Sequence, residues 1–380
     1  MKSTNFLLAF LLTFGLFFPA NTPVLADEVE SDPPRIQLAI LLDTSGSMQG
    51  LINQARAQLW KVVNEFATAK KAGVRPTLEV ALYEYGKQSI PASEGFLRMI
   101  VPLSSDLDRV SEELFALTTN GGNEFCGHVI QAATQGLKWS EKSDDLKVIF
   151  IAGNEPFTQG TVEYQKACRD AIARGIQINT IHCGKEAVGI AGKWKDAASL
   201  ADGRFMNIDH NATAVHIPAP QDKRIAELGG KINDTYLAFG HRGKRMQKRQ
   251  LEQDANSQKA SPGASLQRAV SKASGYYKNA HWDMVDAVKE KKLKLEDMKE
   301  EDLPEAMRKM TLEERKAHLE KLAAQRKKLQ EEIQVLHEAR KKFVAEKQRE
   351  LAGDSGNTLD RAMIGAVREQ AVKKKFQLEK

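Results

Sequence analysis

The stretch AILLDTSGSMQG, residues 39–50, decides the fold, because an apolar segment there runs directly into three small side chains that carry oxygen atoms. These side chains, Asp43, Ser45 and Ser47, stand two residues apart. The continuous apolar run IQLAILL, residues 36–42, is typical of a strand buried on both faces of a parallel sheet. The stretch is therefore either a polar turn that caps the next helix or a cradle for a metal ion.

On both sides of this stretch, strand-like and helix-like segments alternate. After the helical apolar period of residues 51–70, strands are predicted at 77–86, 96–103, 146–153, 176–184 and 204–208, and helices at 106–117, 128–139, 162–175 and 193–202. This alternation predicts an α/β fold with right-handed crossovers and a doubly wound, mostly parallel sheet. Such sheets bind ligands beyond the carboxyl ends of their strands, which is where Asp43 is expected.

Asp43, Ser45 and Ser47 have the donor atoms that a hard divalent cation requires. Mg²⁺ binds oxygen ligands in a tight octahedron and usually retains several waters. The carboxylate supplies charge, the two hydroxyls supply neutral donors, and Gly46 allows a sharp turn between them. By itself the pattern is typical of a turn or a helix N-cap, but the buried strand before it and the helix after it favour a cation site.

The sequence AILLDTSGSM, at the first strand of an alternating fold, resembles the metal-ion-dependent adhesion site of von Willebrand factor type A domains. The resemblance covers residues 35–209 and implies a Rossmann-like domain with Mg²⁺ at the top of the sheet. Asp43, Ser45 and Ser47 match the family's first motif residue by residue. In that family the open position of the cation accepts a carboxylate from a partner protein, so the resemblance implies a protein-binding module.

The remaining ligands depart from the family pattern. Where the family has a threonine after Gly-Gly, the segment NGGNEFCG has Asn123 with Glu124 beside it, and where it has a second aspartate, IFIAGNEPF has Asn154 followed by Glu155. In one interpretation Glu124 or Glu155 replaces the missing carboxylate and a cation still binds: Mg²⁺, or alternatively Mn²⁺ or Ca²⁺, which tolerates irregular oxygen shells. In the other, the site is degenerate, and Asp43 and the serines only cap a turn in a scaffold.

Beyond residue 209 the sequence predicts a charged helical region, 210–350, and a C-terminal helix within 351–380. The polar segment 245–265 is typical of an exposed linker or a solvated helix. Residues 311–348 predict a long amphipathic helix, either a coiled coil that self-associates or a helix packed on its own chain. Arg326 and Arg340 occupy two positions of its apolar seam and favour intramolecular packing or a partner carrying carboxylates. Apolar residues predicted to share one face of the last helix are Leu359, Met363, Ile364, Val367 and Val372.

These C-terminal stretches, and the segments around 150–208, resemble a bacterial exported subgroup of the same family. The first 26 residues predict a signal peptide: Lys2, then an apolar run at 6–18, shorter than the roughly 20 residues of a membrane-spanning helix, and a cleavage pattern ending at Ala26. A linker follows at 27–34. No later segment is apolar enough to span a membrane, so the sequence predicts an exported, periplasmic or extracellular protein.

The bulk composition argues against several classes of function. The net charge is +6, but acidic and basic residues are mixed and no aromatic residues interleave with a basic stripe, which predicts a solvated surface and no nucleic acid partner. Three cysteines, Cys126, Cys168 and Cys183, predict one disulfide with one thiol left over. Cys183 follows His182, and neighbours on a strand point to opposite faces, which does not suit a nucleophile and its base.

Three functions follow from these observations. The first is a non-enzymatic adhesion or scaffold module that binds a partner through the top face. The second is a structural cell-envelope protein that acts through its helical tail without metal. The third is a metal-dependent hydrolase, which the sequence supports least because it has no Gly-x-Ser-x-Gly elbow, no His-Glu-x-x-His pair and no phosphate loop.

Overall fold

Six strands place the end of the first one in the middle of a sheet. The computed structural model describes residues 32–66, 68–209, 211, 216–350 and 359–378. The predicted signal peptide, residues 1–26, lies outside the described residues and stays a prediction. The strands are β1 Arg35–Asp43, β2 Thr77–Tyr85, β3 Leu97–Ser104, β4 Leu146–Gly153, β5 Gln177–Cys183 and β6 Phe205–Ile208.

The strand order is β3-β2-β1-β4-β5-β6. All neighbouring strands are parallel except β3, which runs antiparallel to β2. The chain passes from β1 to β2 on one side and later returns to β4 on the other side, so the winding direction changes between β1 and β4. This confirms the predicted doubly wound, mostly parallel sheet.

Helices cover both faces of the sheet: α1 Gln49–Asn64, α2 Leu107–Ala116, α3 Cys126–Gly136, α4 Tyr164–Ala173, α5 Glu186–Ala191 and α6 Trp194–Leu200. Alternate residues of β1 serve two cores, with Leu38 and Leu42 packed in one and Ala39 and Leu41 in the other. Burial on both faces explains why β1 is a continuous apolar run. The prediction that α1 extends to residue 70 is wrong: the helix ends at Asn64, and the chain then reverses at Ala72 and Gly73, which both have positive φ.

The helical region consists of α7 Asp222–Lys231, α8 Gly240–Ala260, α9 Pro262–Lys272, α10 Met284–Lys289, α11 Leu312–Glu350 and α12 Leu359–Lys373. It lies within the same compact unit as the sheet, Pro33–Lys380. The predicted boundaries at residues 209 and 350 stay predictions. No helix of the described residues is long and apolar enough to cross a membrane.

Helix α8 contradicts the predicted exposed linker or solvated helix at 245–265. It packs against α1, α2 and α9. Two of its buried polar side chains are hydrogen-bonded to other helices: Gln253 Oε1 accepts from Ser111 Oγ at 2.9 Å, and Ser257 Oγ accepts from Trp60 Nε1 at 2.9 Å. A polar helix face can thus form an interior contact through hydrogen bonds to its neighbours.

Helix α11 packs on its own chain, as its two seam arginines favour. Arg326 Nη1 donates to Asp283 Oδ2 and Asp286 Oδ1, both at 2.7 Å, and Arg340 Nε donates to Asp222 Oδ1 at 2.6 Å. The carboxylates that the arginines require therefore come from the same chain. Self-association through residues 311–348 stays a prediction.

Helix α12 packs against α1 and against strands β4, β5 and β6. Leu359, Met363 and Val367 are buried as predicted, and Ile364 is partly buried. The prediction for Val372 is wrong, because its side chain is 63% exposed while Gln370 points inward. Gln370 is held there by an exchange of two 2.9 Å amide hydrogen bonds with Asn179.

The three cysteines do not form the predicted disulfide. Cys126 on α3, Cys168 on α4 and Cys183 on β5 are free, buried thiols. Cys126 Sγ lies 4.0 Å from the Tyr85 hydroxyl, and burial raises the pKa of Cys168 to about 12. All three behave as small core residues rather than as cross-links.

Candidate metal centre

The residues predicted to bind a cation lie where the winding of the sheet reverses. Asp43 is the last residue of β1, and Asn154 directly follows β4, its neighbour in the sheet. The connections leaving these two strands run in opposite directions, which opens a crevice between them. Three segments border it: the turn after β1, the loop before α3, and the loop after β4.

Asp43 is fully buried at the floor of the crevice. Its Oδ1 accepts a hydrogen bond from Ser45 N at 2.7 Å. The turn is fixed from below, because Thr44 N donates to Tyr85 O at 2.8 Å and Thr44 Oγ1 donates to Glu84 Oε2 at 3.3 Å. The other carboxylate oxygen, Oδ2, is buried and has no donor among the described residues. One half of this carboxylate therefore orders the loop, and the other half is unsatisfied.

The two serines lie at the rim above Asp43. Their hydroxyl oxygens are 3.4 Å apart. Ser47 Oγ also accepts from Asn154 Nδ2 at 3.3 Å, which links the loop after β1 to the loop after β4. The amide oxygen of Asn154, Oδ1, is buried without a donor among the described residues. This contact brings three of the predicted site residues to one place.

Glu124 reaches the crevice from the loop before α3. Its backbone N–H donates to Gln159 Oε1 at 3.2 Å, and its side chain is buried, with Oε2 lacking a donor among the described residues. A Cβ atom placed on Gly86 would lie 2.8 Å from Glu124 Cγ and 2.9 Å from Asp43 Oδ1. The two carboxyl groups therefore converge beside the bare backbone of Gly86, whose φ is +77°.

Burial dominates the electrostatics of this pair. It raises the pKa of Asp43 to about 6 and the pKa of Glu124 to about 9, and the carboxyl group of each residue faces the other closely enough to share a proton. The negative charge of Glu155 adds to both rises, and the Ser45 side chain opposes them. Two buried carboxylates at this separation require either a shared proton or a compensating cation.

The donor set fits a hard divalent cation. Three buried oxygens from three different segments lack a donor: Asp43 Oδ2, Glu124 Oε2 and Asn154 Oδ1. The hydroxyls of Ser45 and Ser47 add neutral oxygens beside them. Buried polar atoms in proteins nearly always have a partner, so these oxygens require either the shared proton or a cation. Only oxygen atoms are offered, which is the preference of Mg²⁺, Mn²⁺ and Ca²⁺.

Two of the predicted residues are not part of this group. Asn123 is exposed and makes no side-chain hydrogen bond with the other six within the described residues. The Glu155 carboxylate accepts from Gln159 Nε2 at 3.2 Å, and the Glu155 carbonyl accepts from Trp194 Nε1 at 2.9 Å. Gln159 thus holds Glu124 and Glu155 with the two ends of one amide. In the described residues, no three His, Cys, Asp or Glu side chains form a group that could hold a metal.

The sequence interpretation missed Tyr85 and Gly153, which shape the floor of the site. Tyr85 Oη donates to Ala152 O at 3.0 Å. A Cβ on Gly153 would lie 2.4 Å from that hydroxyl oxygen and 3.1 Å from Asp43 Oδ2. A glycine at the end of an apolar strand was the available signal, since it often marks a close approach of another group to the backbone. Gln159 carried no signal, because its role depends on two loops that meet only in the fold.

Comparison with known proteins matches one family to part of the chain. The family model for the von Willebrand factor type A domain matches residues 37–199. Comparison with curated proteins found no match. The solved structures similar to this chain include the SpRpn10 VWA domain, at 17% identity and a TM-score of 0.35, covering 46% of this chain and 88% of that one.

Two further similar structures cover the same share of the chain. One is the conserved hypothetical protein BatB from Bacteroides thetaiotaomicron, at 15% identity and a TM-score of 0.35, covering 46% of this chain and 90% of that one. The other is proximal thread matrix protein 1 from the mussel byssus with a zinc occupied MIDAS motif, at 12% identity and a TM-score of 0.34. It is matched over 46% of this chain but only 42% of its own length.

Proposed function

We propose that this protein, whose residues 37–199 match the family model for the von Willebrand factor type A domain, is a binding module of the adhesion type. Its top face captures a protein partner through a divalent cation held between the loops that follow β1 and β4. The proposed setting is periplasmic or extracellular, which rests on the predicted signal peptide.

One observation supports the proposal: the unpaired buried oxygens of Asp43, Glu124 and Asn154 lie on the three loops that border the switch point of the sheet. The site keeps two carboxylates, which would balance the charge of a dication. Asn154 would supply a neutral amide oxygen where the family has an aspartate, and Glu124 would supply a carboxylate one position after Asn123, which stands where the family has a threonine. The second carboxylate of the proposed site would therefore come from the loop before α3 and not from the loop after β4.

We propose Mg²⁺ as the cation, with Mn²⁺ and Ca²⁺ as the alternatives. Asp43, Glu124, Ser45, Ser47 and Asn154 would hold it. When bound, the cation would supply a Lewis acid for a carboxylate of the partner. Asp43 and Glu124 are buried and Ser47 is exposed, so the chain's own charges lie on the inner side. The outer side is left for an acidic side chain of the partner.

The first prediction concerns cation binding. Mg²⁺ is expected to raise the melting temperature of the wild type, since a ligand at 100 times its Kd adds about 2.7 kcal/mol to the free energy of unfolding. Glu124→Gln and Asp43→Ala should remove the shift, because each takes away one of the two compensating charges. The measurement is differential scanning fluorimetry with Mg²⁺, Mn²⁺ and Ca²⁺ after chelation of the purified protein.

Glu186→Gln is the matched control, because Glu186 is an exposed residue of α5 and its replacement removes the same charge. It should keep the full shift. The absence of a shift with all three ions, or an equal shift in Glu124→Gln, would contradict the proposed site. The degenerate-scaffold interpretation would then hold.

The metal-independent alternative is a structural cell-envelope protein that acts through the helical region. It predicts the opposite result for the same variants. A partner isolated with the wild type would then bind Glu124→Gln equally well and bind equally in a chelator. A metal-dependent hydrolase would show turnover that is lost in Asp43→Ala. Pull-down in Mg²⁺ and in chelator, with wild type and Glu124→Gln in parallel, separates the binding proposals.

A further inference from the structure

We propose that a second cavity, at the end of the sheet opposite Asp43, is a binding site for a soluble phosphate monoester. This basal cavity has a volume of about 680 Å³ and is lined by Trp139, Lys147, Arg174 and Lys374, among others. Its size lies in the range of small-molecule sites. The proposal is independent of the cation site.

The topology brings basic residues together at this place. Strands β4 and β5 are parallel neighbours, so their amino ends share one edge of the sheet. The cavity is bordered by the connection from α3 to β4, by the second residue of β4, and by the turn from α4 to β5. Lys374, just after α12, closes the remaining side.

The cavity is strongly cationic. Four basic side chains line it, those of Lys138, Lys147, Arg174 and Lys374, against one carboxylate, that of Glu141. Within the described residues none of the four is in an ion pair with a carboxylate. This distinguishes the basal cavity from the ion pairs elsewhere in the fold, such as Arg340 with Asp222.

Three of the four side chains, those of Lys147, Arg174 and Lys374, donate instead to backbone carbonyls. Lys374 Nζ donates to Ser143 O at 2.6 Å, and Arg174 Nη1 donates to Thr134 O at 3.0 Å. These contacts fix the side chains around the cavity without pairing their charges directly with a carboxylate, although Asp145 lies near enough to Lys147 to offset part of its charge. A guanidinium has five N–H donors and an ammonium has three, so donors remain for a ligand.

Lys147 is the centre of the site. Its side chain is 4% exposed overall, and its Nζ donates to Ser140 O at 2.9 Å and to Arg174 O at 2.7 Å. Two of its three protons are thus used. Burial lowers the pKa of Lys147 and the charge of Lys374 lowers it further, while Asp145 opposes this. Asp145 itself accepts from Arg35 N at 2.8 Å and from Ser140 Oγ at 2.5 Å.

An anion with several acceptors and more than one negative charge suits this arrangement better than a single carboxylate. A phosphate monoester carries a charge of about −1.5 to −2 at neutral pH and three strong acceptor oxygens. Arginine and lysine are the side chains that proteins use for phosphate. The cavity is larger than a phosphate group, and the half-buried Trp139 ring gives the organic part of the ester an apolar surface.

The test is isothermal titration with inorganic phosphate and with adenosine monophosphate, in a chelator and at constant ionic strength set with NaCl. Lys374→Met and Arg174→Met should each weaken binding of the ester about tenfold, the loss expected for one charge-assisted contact. Lys147→Met should abolish binding, and a thermal melt shows whether it is folded. Lys195→Met, which removes an exposed charge on α6, should change Kd less than twofold.

Glu124→Gln should bind phosphate like the wild type, so failure of the cation site would leave this result untouched. Three outcomes would overturn the proposal: phosphate and the ester bind no better than chloride, Lys374→Met and Arg174→Met bind like Lys195→Met, or only vesicles containing phosphatidic acid retain the protein. The last outcome would show that the positive charge of the basal cavity binds an anionic lipid surface and not a soluble ester.

Discussion

Gly153 shows how a single hydrogen atom keeps the floor of the site open. A Cβ at this position would lie 2.4 Å from the Tyr85 hydroxyl oxygen and 3.1 Å from Asp43 Oδ2. Neither group can withdraw easily, because Tyr85 is fully buried and bonded to Ala152 O, and Asp43 is fully buried. The backbone here is shaped by the side chains that face it.

The second prediction follows from this contact. Gly153→Ala should lower the free energy of unfolding by about 1–3 kcal/mol, the usual cost of overpacking, and should reduce the Mg²⁺-induced thermal shift by displacing Asp43. Urea denaturation measures the first effect. Gly365→Ala is the control: it lies in α12 with nothing within 4 Å of its Cβ position. It should stabilise by about 0.5–1 kcal/mol, and equal behaviour of the two variants would contradict the steric argument.

Single residues also show what sequence could predict of the site. Asp43, Ser45 and Ser47 lie within one turn, so their proximity was local and predictable. The choice between Glu124 and Glu155 as the second carboxylate was not predictable, because both residues lie in loops that border the same crevice. The structure separates them through Gln159, which takes up the Glu155 carboxylate and leaves Glu124 Oε2 unpaired.

Between elements, a buried guanidinium joins the sheet layer to the helical region. Arg268 on α9 is 1% exposed, its Nη1 donates to Asp108 Oδ1 on α2 at 2.5 Å, and its Nε donates to Asp254 Oδ1 on α8 at 2.8 Å. The guanidinium carbon lies 4.4 Å from the centre of the Trp60 ring on α1. Four helices therefore meet at one cation.

The third prediction concerns this junction. Arg268→Met should cost about 3–5 kcal/mol of unfolding free energy, because it leaves the Asp108 carboxylate buried without a cation. Lys166→Met should cost less than about 0.5 kcal/mol, since its pair with Asp170 is an exposed i,i+4 contact. Chemical denaturation of both variants is the measurement. A cost for Arg268→Met as small as for the control would show that the junction is not a stabilising contact.

For helix α8, the helical conformation could be predicted from the sequence but its burial could not. Its helical period was readable, but its polar composition predicted solvent on all sides. The partners that allow Gln253 and Ser257 to be buried are Ser111 and Trp60, which lie more than a hundred residues away in the chain. A hydropathy pattern depends only on the local sequence and does not include such distant hydrogen bonds, so the burial of this polar helix could not be predicted.

For the molecule as a whole, α12 completes one face of the sheet. Leu359, Met363 and Val367 join the core that also contains Leu38 and Leu42 of β1. Lys61 Nζ on α1 donates to Asp360 Oδ2 at 2.5 Å across 299 positions of sequence. The alternation of strands and helices predicted the sheet, but not that its covering layer includes the last described helix.

The fourth prediction tests this role. Met363→Ala should lower the free energy of unfolding by about 2–5 kcal/mol, because it leaves a cavity in the core of the sheet. Val372→Ala, on the exposed side of the same helix, should change it by less than about 0.5 kcal/mol. Urea midpoints of the two variants give the comparison. If Met363→Ala were as mild as Val372→Ala, α12 would be an accessory to the sheet and not part of its core.

The position of α12 has a consequence for how the chain acquires its structure. The apolar face formed by α1 and the central strands stays uncovered until a segment about 300 positions later becomes available. Closing so long a loop is entropically slow and precedes the contacts that reward it. A chain synthesised only through the sheet therefore presents apolar surface of α1 and the strands that α12 covers in the finished fold.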